Sequence, residues 1–163
     1  MGAAPGMMMT DLSDLLLPET VIERVAAANK KALFQQLATV AGQAYGLDAG
    51  AVADCLVARE KLGSTGFGGG IATPHGKLAG LSHVVGVFAR LSQPIDFHAV
   101  DDLSVDIVFT LLSPPDAGAE HLKALARVSR RLRDRGFVAK LRGAGSRDAL
   151  YALLTADEAR DAA

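Results

Sequence analysis

A glycine-rich segment at residues 63–77, GSTGFGGGIATPHGK, displays a single histidine. Neutral imidazole is a nucleophile that can accept a phosphoryl group near neutral pH, because its ordinary pKa is about 6.5. Pro74 favours extended backbone in the residue before it, and Gly76 is expected to let the chain turn sharply away. The segment therefore predicts that His75 stands at the end of a short extended stretch, 70–73. An ordinary loop histidine is the alternative.

Two other segments carry side chains that suit a phosphoryl group. His121 lies near the start of a predicted helix, where free backbone N–H groups favour an anion, so its ring could donate to a phosphoryl oxygen. Arg59 ends another predicted helix, and a guanidinium can bind two phosphoryl oxygens at once. Each has a plainer interpretation: His121 as a surface histidine beside an apolar stripe, and Arg59 with Glu60 as a solvated helical pair.

The glycines do not match a nucleotide-binding motif. A P-loop has four residues between its first glycine and the Gly-Lys pair, whereas five separate Gly70 from Gly76, and Leu78 stands where Ser or Thr is required. The dinucleotide pattern fails because its third glycine position holds Ile71 or Thr73. The four histidines show no metal-ligand spacing. We therefore expect no cofactor and no metal.

The composition fits one domain in a reducing compartment. The chain has 163 residues, half of them hydrophobic, and a formal net charge of −1, which argues against a general nucleic-acid or membrane-surface footprint. No apolar run reaches the roughly 20 residues that span a bilayer, so no membrane insertion is expected. The single cysteine, Cys55, is expected to be a small core residue, and a chain without disulfides fits the cytoplasm. Residues 1–10 are expected to be a disordered leader or an added remnant before a domain at 11–158.

The remaining pattern predicts a single α/β domain with a small central mixed sheet flanked by helices. Three segments have the composition of strands: 20–25, 83–90 and 103–112. The last two are apolar at consecutive positions, as in strands covered on both faces. Five segments have the caps or apolar spacing of helices: 29–45, 48–61, 118–132, 137–142 and 147–154.

Two motifs, AREKLGSTGFGGGIATPHGK and EHLKALARVSRRLRD, occur in this order. Together they resemble the type-2 IIA domains of the bacterial phosphoenolpyruvate-dependent phosphotransferase system, and most closely the stand-alone nitrogen-regulatory branch. The resemblance extends from about Leu12 to Leu154. It implies a cytoplasmic phosphocarrier in which His75 accepts a phosphoryl group from an HPr-type carrier, with His121 and Arg59 in the active site. It also implies partners regulated by phosphorylation state, such as potassium-transport or sensor-kinase systems.

Two alternatives remain open. Within the family, a fructose- or mannitol-type IIA would pass its phosphoryl group to a separate IIB protein. Outside the family, a nucleic-acid-binding module could use a basic face at residues 123–142, which hold eight Lys and Arg against one acid, Asp134. No helix-turn-helix signature accompanies this segment, and a solvated face or a patch for an acidic protein also fits. We therefore expect no nucleic acid.

Overall fold

The computed structural model describes residues 12–156, in which one mixed sheet is covered by helices on both faces. The expected leader at residues 1–10 lies outside the described residues. Within the described range the strands are β1 (Val21–Val25), β2 (Gly66–Gly68), β3 (Ile71–Ala72), β4 (His75–Lys77), β5 (Val85–Ile95) and β6 (Val105–Ser113). The α-helices are α1 (Lys30–Tyr45), α2 (Ala49–Glu60), α3 (Gly118–Leu132), α4 (Arg135–Gly143) and α5 (Arg147–Thr155). The predicted fold class is confirmed.

Strand β6 organises the sheet, whose strand order is β1-β5-β6-β3-β2. It runs antiparallel to β5 and parallel to both β3 and β4, which follow one another along its other edge. Ile71 pairs with Ile107, and His75 pairs with Leu111. The register therefore fixes His75 beside the C-terminal end of β6.

The first two helices begin and end where their caps predicted. The side chain of Asn29 accepts a hydrogen bond from the Ala32 N–H at 2.9 Å, and Asp48 accepts one from the Ala51 N–H at 3.1 Å. Gly46 ends α1 with a φ of 69°, the left-handed conformation that glycine adopts readily. The caps depend on residues close to one another in the chain, so the sequence alone was enough to predict where these two helices begin and where α1 ends.

The core is divided between the two faces of the sheet. Side chains of α1 and α2, such as Leu37 and Leu56, form one cluster, and side chains of α3, α4 and α5, such as Val128 and Phe137, form the other. Strands β5 and β6 contribute to both clusters, as their consecutive apolar positions predicted. The domain therefore has three layers, with helix α2 and helix α3 on opposite sides of the sheet.

Two expectations about the elements were wrong. The leucine spacing of α3 indicated an apolar face through Leu122, but this side chain is 66% exposed, and the buried face runs through His121 and Val128. Packing against the sheet sets the rotation of the helix and turns His121 inward. The strand expected from 83 begins at Val85, which leaves His83 in an exposed loop.

Two of the basic residues at 123–142 are engaged within the fold. Arg131 is only 2% exposed, and its guanidinium lies 3.7 Å from the centroid of the Phe137 ring. Arg127 makes two 2.9 Å hydrogen bonds to the carboxylate of Asp14. The basic face considered for the nucleic-acid alternative is therefore reduced by the burial of Arg131 and by the pairing of Arg127 with Asp14. None of the helices within residues 12–156 combines the length and the apolar character needed to cross a membrane.

Candidate functional site

The three side chains singled out from the sequence meet beside the end of β6. The ring centroids of His75 and His121 lie 5.5 Å apart, with an angle of 51° between the ring planes. The Arg59 Nε–H donates a hydrogen bond to His75 Nε2 at 3.3 Å. The three residues come from β4, α3 and α2, so the site draws on both helical layers and on the sheet between them.

Strand β4 sets the direction of His75. Gly76 lies within this strand opposite Leu112, so the expected turn at Gly76 was wrong. A side chain at this position would collide with the Cys55 Sγ of α2, which explains the need for glycine. Since side chains alternate across a strand, His75 projects to the opposite face, where α3 lies. The sharp backbone turn is at 68–70 instead, where three successive glycines have positive φ.

The hydrogen bonds of His75 define its neutral tautomer. Its Nδ1 lies 2.7 Å from the carbonyl oxygen of Thr73, and because a carbonyl can only accept, Nδ1 carries the proton. A neutral imidazole then has its lone pair on Nε2, which is the atom that accepts the hydrogen bond from Arg59. The ring is therefore oriented with its nucleophilic nitrogen toward the guanidinium.

The surroundings keep His75 neutral. Burial lowers the pKa of His75 below its ordinary value, and the nearby Arg59 cation lowers it further. The hydrogen bond to Thr73 and the charge of Glu60 act in the opposite direction but do not reverse the shift. At neutral pH the lone pair on Nε2 is therefore available for bonding.

A buried carboxylate supports the backbone that holds His75. The Glu60 side chain is 7% exposed, pairs with Lys30 at 2.8 Å, and accepts hydrogen bonds from the Thr65 N–H and from its hydroxyl, the latter at 2.6 Å. The Thr65 carbonyl in turn accepts from the Thr73 N–H at 3.0 Å, and Thr73 binds His75. The interpretation of a solvated Arg-Glu pair was therefore wrong for Glu60. Sequence reasoning missed this network.

Arg59 is held at both ends of its guanidinium. Besides its contact with His75, its Nη1 donates to the Gly63 carbonyl at 2.9 Å, at the start of the glycine-rich segment. Within residues 12–156, no hydrogen bond is formed by Nη2 of Arg59. This part of the guanidinium can therefore bind an anion next to His75 Nε2.

His121 is a buried histidine, so its interpretation as a surface residue was wrong. It is 8% exposed, and its Nδ1 lies 2.6 Å from the hydroxyl oxygen of Ser113. Burial lowers the pKa of His121, and the charges of His75 and Lys77 lower it further. Ser113, the last residue of β6, was missed by sequence reasoning. The only sequence signal was a polar residue at the end of an apolar strand.

The other histidines and the cysteine lie outside this arrangement of rings and guanidinium. His83 and His98 are both exposed. Cys55 is only partly buried, although it was expected in the core, and its thiol donates to the Lys77 carbonyl at 3.3 Å. Burial raises the pKa of this thiol, so it stays protonated at neutral pH. Among residues 12–156, no three His, Cys, Asp or Glu side chains lie close enough together to hold a metal ion.

Comparisons with known proteins give a consistent result. Residues 14–157 match the family model described as phosphoenolpyruvate-dependent sugar phosphotransferase system, EIIA 2. The chain is 46% identical over 143 residues to a nitrogen regulatory protein of Bradyrhizobium diazoefficiens, covering 88% of this chain and 94% of the relative. It is 40% identical over 148 residues to a nitrogen regulatory protein of Escherichia coli, covering 90% of this chain and 91% of the relative. The crystal structure of nitrogen regulatory protein IIA-Ntr from Neisseria meningitidis is similar with a TM-score of 0.83 and 33% identity, covering 88% of this chain and 99% of the other.

Proposed function

Because the chain belongs to the phosphotransferase-system EIIA 2 family, we propose that it is a phosphohistidine carrier that accepts a phosphoryl group on Nε2 of His75. Members of this family are phosphotransfer components. The observation that carries the proposal is the pair of contacts made by one ring: Nδ1–H donates to Thr73, and the Nε2 lone pair faces Arg59. This is the state in which an imidazole can attack phosphorus.

The transfer needs positioning and charge stabilisation rather than acid–base chemistry. The Nε2 lone pair of His75 forms the new N–P bond while the bond between phosphorus and the donor nitrogen breaks, and that electron pair returns to the donor. The imidazole of His75 gains positive charge as the bond forms. Its Nδ1–H then makes a stronger hydrogen bond to the Thr73 carbonyl, which stabilises this charge.

Arg59 and His121 stabilise the phosphoryl oxygens in this proposal. The guanidinium of Arg59 moves from Nε2 to the oxygens as the lone pair is used. His121 lies close enough for its ring N–H to donate to another oxygen. A hydrogen bond to a charged group contributes about 1.5–3 kcal/mol, so each residue is expected to affect the rate by at least tenfold.

The proposed partners are proteins that donate the phosphoryl group or that respond to the charge it adds. We propose an HPr-type carrier as donor, and target proteins such as potassium-transport or sensor-kinase systems that distinguish the two states, because phosphorylation adds a charge of about −2. We assign this role to a domain at 11–158 acting in the cytoplasm, where such donors operate. The named relatives are nitrogen regulatory proteins, which supports regulation over transfer to a sugar-specific IIB protein.

Intact-mass spectrometry at alkaline pH tests the proposal. The wild type, His75→Ala and His98→Ala are each incubated with phosphoenolpyruvate, enzyme I and an HPr-type carrier. His98 is the matched control because it is an exposed histidine outside the site. We expect an acid-labile gain of one phosphoryl group in the wild type and in His98→Ala, and no gain in His75→Ala.

Three outcomes would contradict the proposal or part of it. Absence of any gain in the wild type, with carriers shown to phosphorylate a known acceptor, would refute the carrier function. A gain that persists in His75→Ala would place the phosphoryl group elsewhere. Rapid onward transfer to a sugar-specific IIB protein would favour the sugar-pathway role over the regulatory one.

A further inference from the structure

We infer that Ser113 is a positioning residue that fixes His121 in the tautomer whose Nε2–H is directed to the phosphoryl site, an inference that rests on the proposed function. Ser113 is completely buried, and its Oγ lies 2.6 Å from His121 Nδ1. Ser113 therefore does not touch the transferred group in this scheme. It acts through His121.

Either Ser113 or His121 could be the donor in the hydrogen bond between them, and the surroundings of the serine hydroxyl identify which one it is. A serine hydroxyl can donate to Nδ1 or accept from Nδ1–H. Within residues 12–156, no second acceptor is available to the Ser113 hydroxyl, so if Nδ1 were the donor, a buried O–H would be left without a partner. Such a group is disfavoured by about tenfold or more. The hydroxyl of Ser113 therefore donates to Nδ1, and the proton of the neutral His121 ring is on Nε2.

The surroundings of His121 keep its ring neutral. Burial disfavours the charged ring and lowers the pKa of His121, and Lys77, together with His75 whenever His75 is protonated, lowers it further. Glu120, its neighbour in α3, is exposed and pairs with Lys123 at 3.9 Å. No carboxylate among the described residues contacts the His121 ring. Its single proton is therefore placed by Ser113.

The pairing of β4 with β6 fixes His75 relative to Ser113, the residue that contacts His121. His75 pairs with Leu111, and two residues further along the ladder Lys77 pairs with Ser113. The Leu78 N–H then donates to the Ser113 carbonyl at 2.8 Å. The strand that carries the phosphoryl acceptor therefore also fixes the backbone of Ser113, from which the hydroxyl reaches His121.

The tautomer of His121 decides whether its Nε2 attracts or repels the phosphoryl oxygens. With the proton on Nδ1, the lone pair of His121 Nε2 would face the phosphoryl oxygens and repel them. With the proton on Nε2, the ring donates to an oxygen instead. The hydroxyl of Ser113 therefore selects between an attractive and a repulsive contact at the same position.

Imidazole ¹⁵N NMR of the unphosphorylated protein tests this inference directly. We expect His121 in the wild type to show a pyridine-type Nδ1 and a protonated Nε2. Ser113→Ala should shift the ring toward a mixture of tautomers and slow phosphoryl acceptance by about tenfold. Ser113→Thr, which keeps the hydroxyl, should retain both the tautomer and the rate.

The control is Ser92→Ala, which removes a hydroxyl that donates to the Val25 carbonyl at 3.1 Å, away from the histidines. It should change neither the tautomer nor the rate. A protonated Nδ1 in wild-type His121, or an unchanged tautomer in Ser113→Ala, would overturn the inference whether or not His75 is phosphorylated. If the tautomers behave as expected and no variant is phosphorylated, the tautomer assignment stands and the proposed function falls. The wild-type spectrum decides the tautomer even if Ser113→Ala does not fold.

Discussion

The imidazole rings of His75 and His121 lie 5.5 Å apart, and their partners place them in opposite tautomers. The Thr73 carbonyl accepts a hydrogen bond from the Nδ1–H of His75, which leaves the lone pair on Nε2. A hydroxyl donates to Nδ1 of His121, which leaves the proton on Nε2. In the proposed mechanism the two rings therefore supply different atoms: His75 the nucleophile for phosphorus and His121 the hydrogen-bond donor for oxygen.

Replacing Arg59 by lysine should slow phosphoryl acceptance by about 10- to 100-fold, although the positive charge is kept. Lysine cannot contact Nε2 of His75, the Gly63 carbonyl and a phosphoryl oxygen with one planar group. The rate is measured by rapid quench with an HPr-type donor, with exposed Lys61→Ala as the control. A wild-type rate in Arg59→Lys would show that charge alone is sufficient.

Replacing Glu60 by glutamine should lower the free energy of unfolding by about 1–3 kcal/mol and also slow phosphoryl acceptance, because it loses the ion pair with Lys30 and weakens the contacts to Thr65. The matched control is Asp106→Asn, which breaks an ion pair with Arg142 away from the histidines. Urea unfolding and the transfer rate are measured for both variants. Equal losses of rate in the two variants would mean that Glu60 acts only through stability.

Stability should fall as the pH is lowered below about 6.5. The folded-state pKa values of His75 and His121 are both lowered, so the unfolded chain binds more protons in the window between those values and 6.5. Their contribution is therefore complete above 6.5 and is lost as the pH falls through the folded-state values. Urea unfolding between about pH 8 and pH 5 measures this dependence. His75→Gln should have a shallower slope, and an unchanged slope would refute the linkage.

Phosphoryl acceptance should decline over the same acidic range. Protonation of His75 occupies the Nε2 lone pair, which is the atom proposed to attack phosphorus. The initial rate is measured against pH with a donor whose own activity is established separately at each value. A rate that rises as the pH falls would argue that the protonated ring is the active form.

Gly76→Ala should destabilise the protein by about 1–3 kcal/mol, because the new Cβ meets the Cys55 Sγ. Cys55→Ala in the same chain should recover most of this loss, since the remaining atoms of residue 55 lie at 3.8 and 3.9 Å from that Cβ. Gly118→Ala is the control, because nothing lies within 4 Å of its added Cβ. Strict additivity of the Gly76 and Cys55 substitutions in urea unfolding would contradict the predicted contact.

The sequence was sufficient for features that depend on neighbouring residues. Asn29 and Asp48 cap helices because of bonds to residues three positions away, and consecutive apolar residues predicted the two central strands. The types of His75, His121 and Arg59, together with the resemblance, indicated which side chains would meet. Their proposed roles remain predictions.

The sequence was not sufficient where the register of β4 against β6 decides the contact. Ser113 reaches His121 because β4 holds the end of β6 in place, and no local pattern encodes that pairing. The same holds for Glu60, whose partners Lys30 and Thr65 lie in other elements. The rotation of α3 is also set by packing, which is why Leu122 is exposed while Arg131 is buried.

The position of the site between two helical layers has a consequence for partly folded chains. Arg59 belongs to the layer of α1 and α2, and His121 to the layer of α3, α4 and α5. If either layer opens, His75 loses one of its two neighbours even though β4 remains paired. Phosphoryl acceptance by His75 is therefore expected to be slower in any molecule in which one of the two layers has opened.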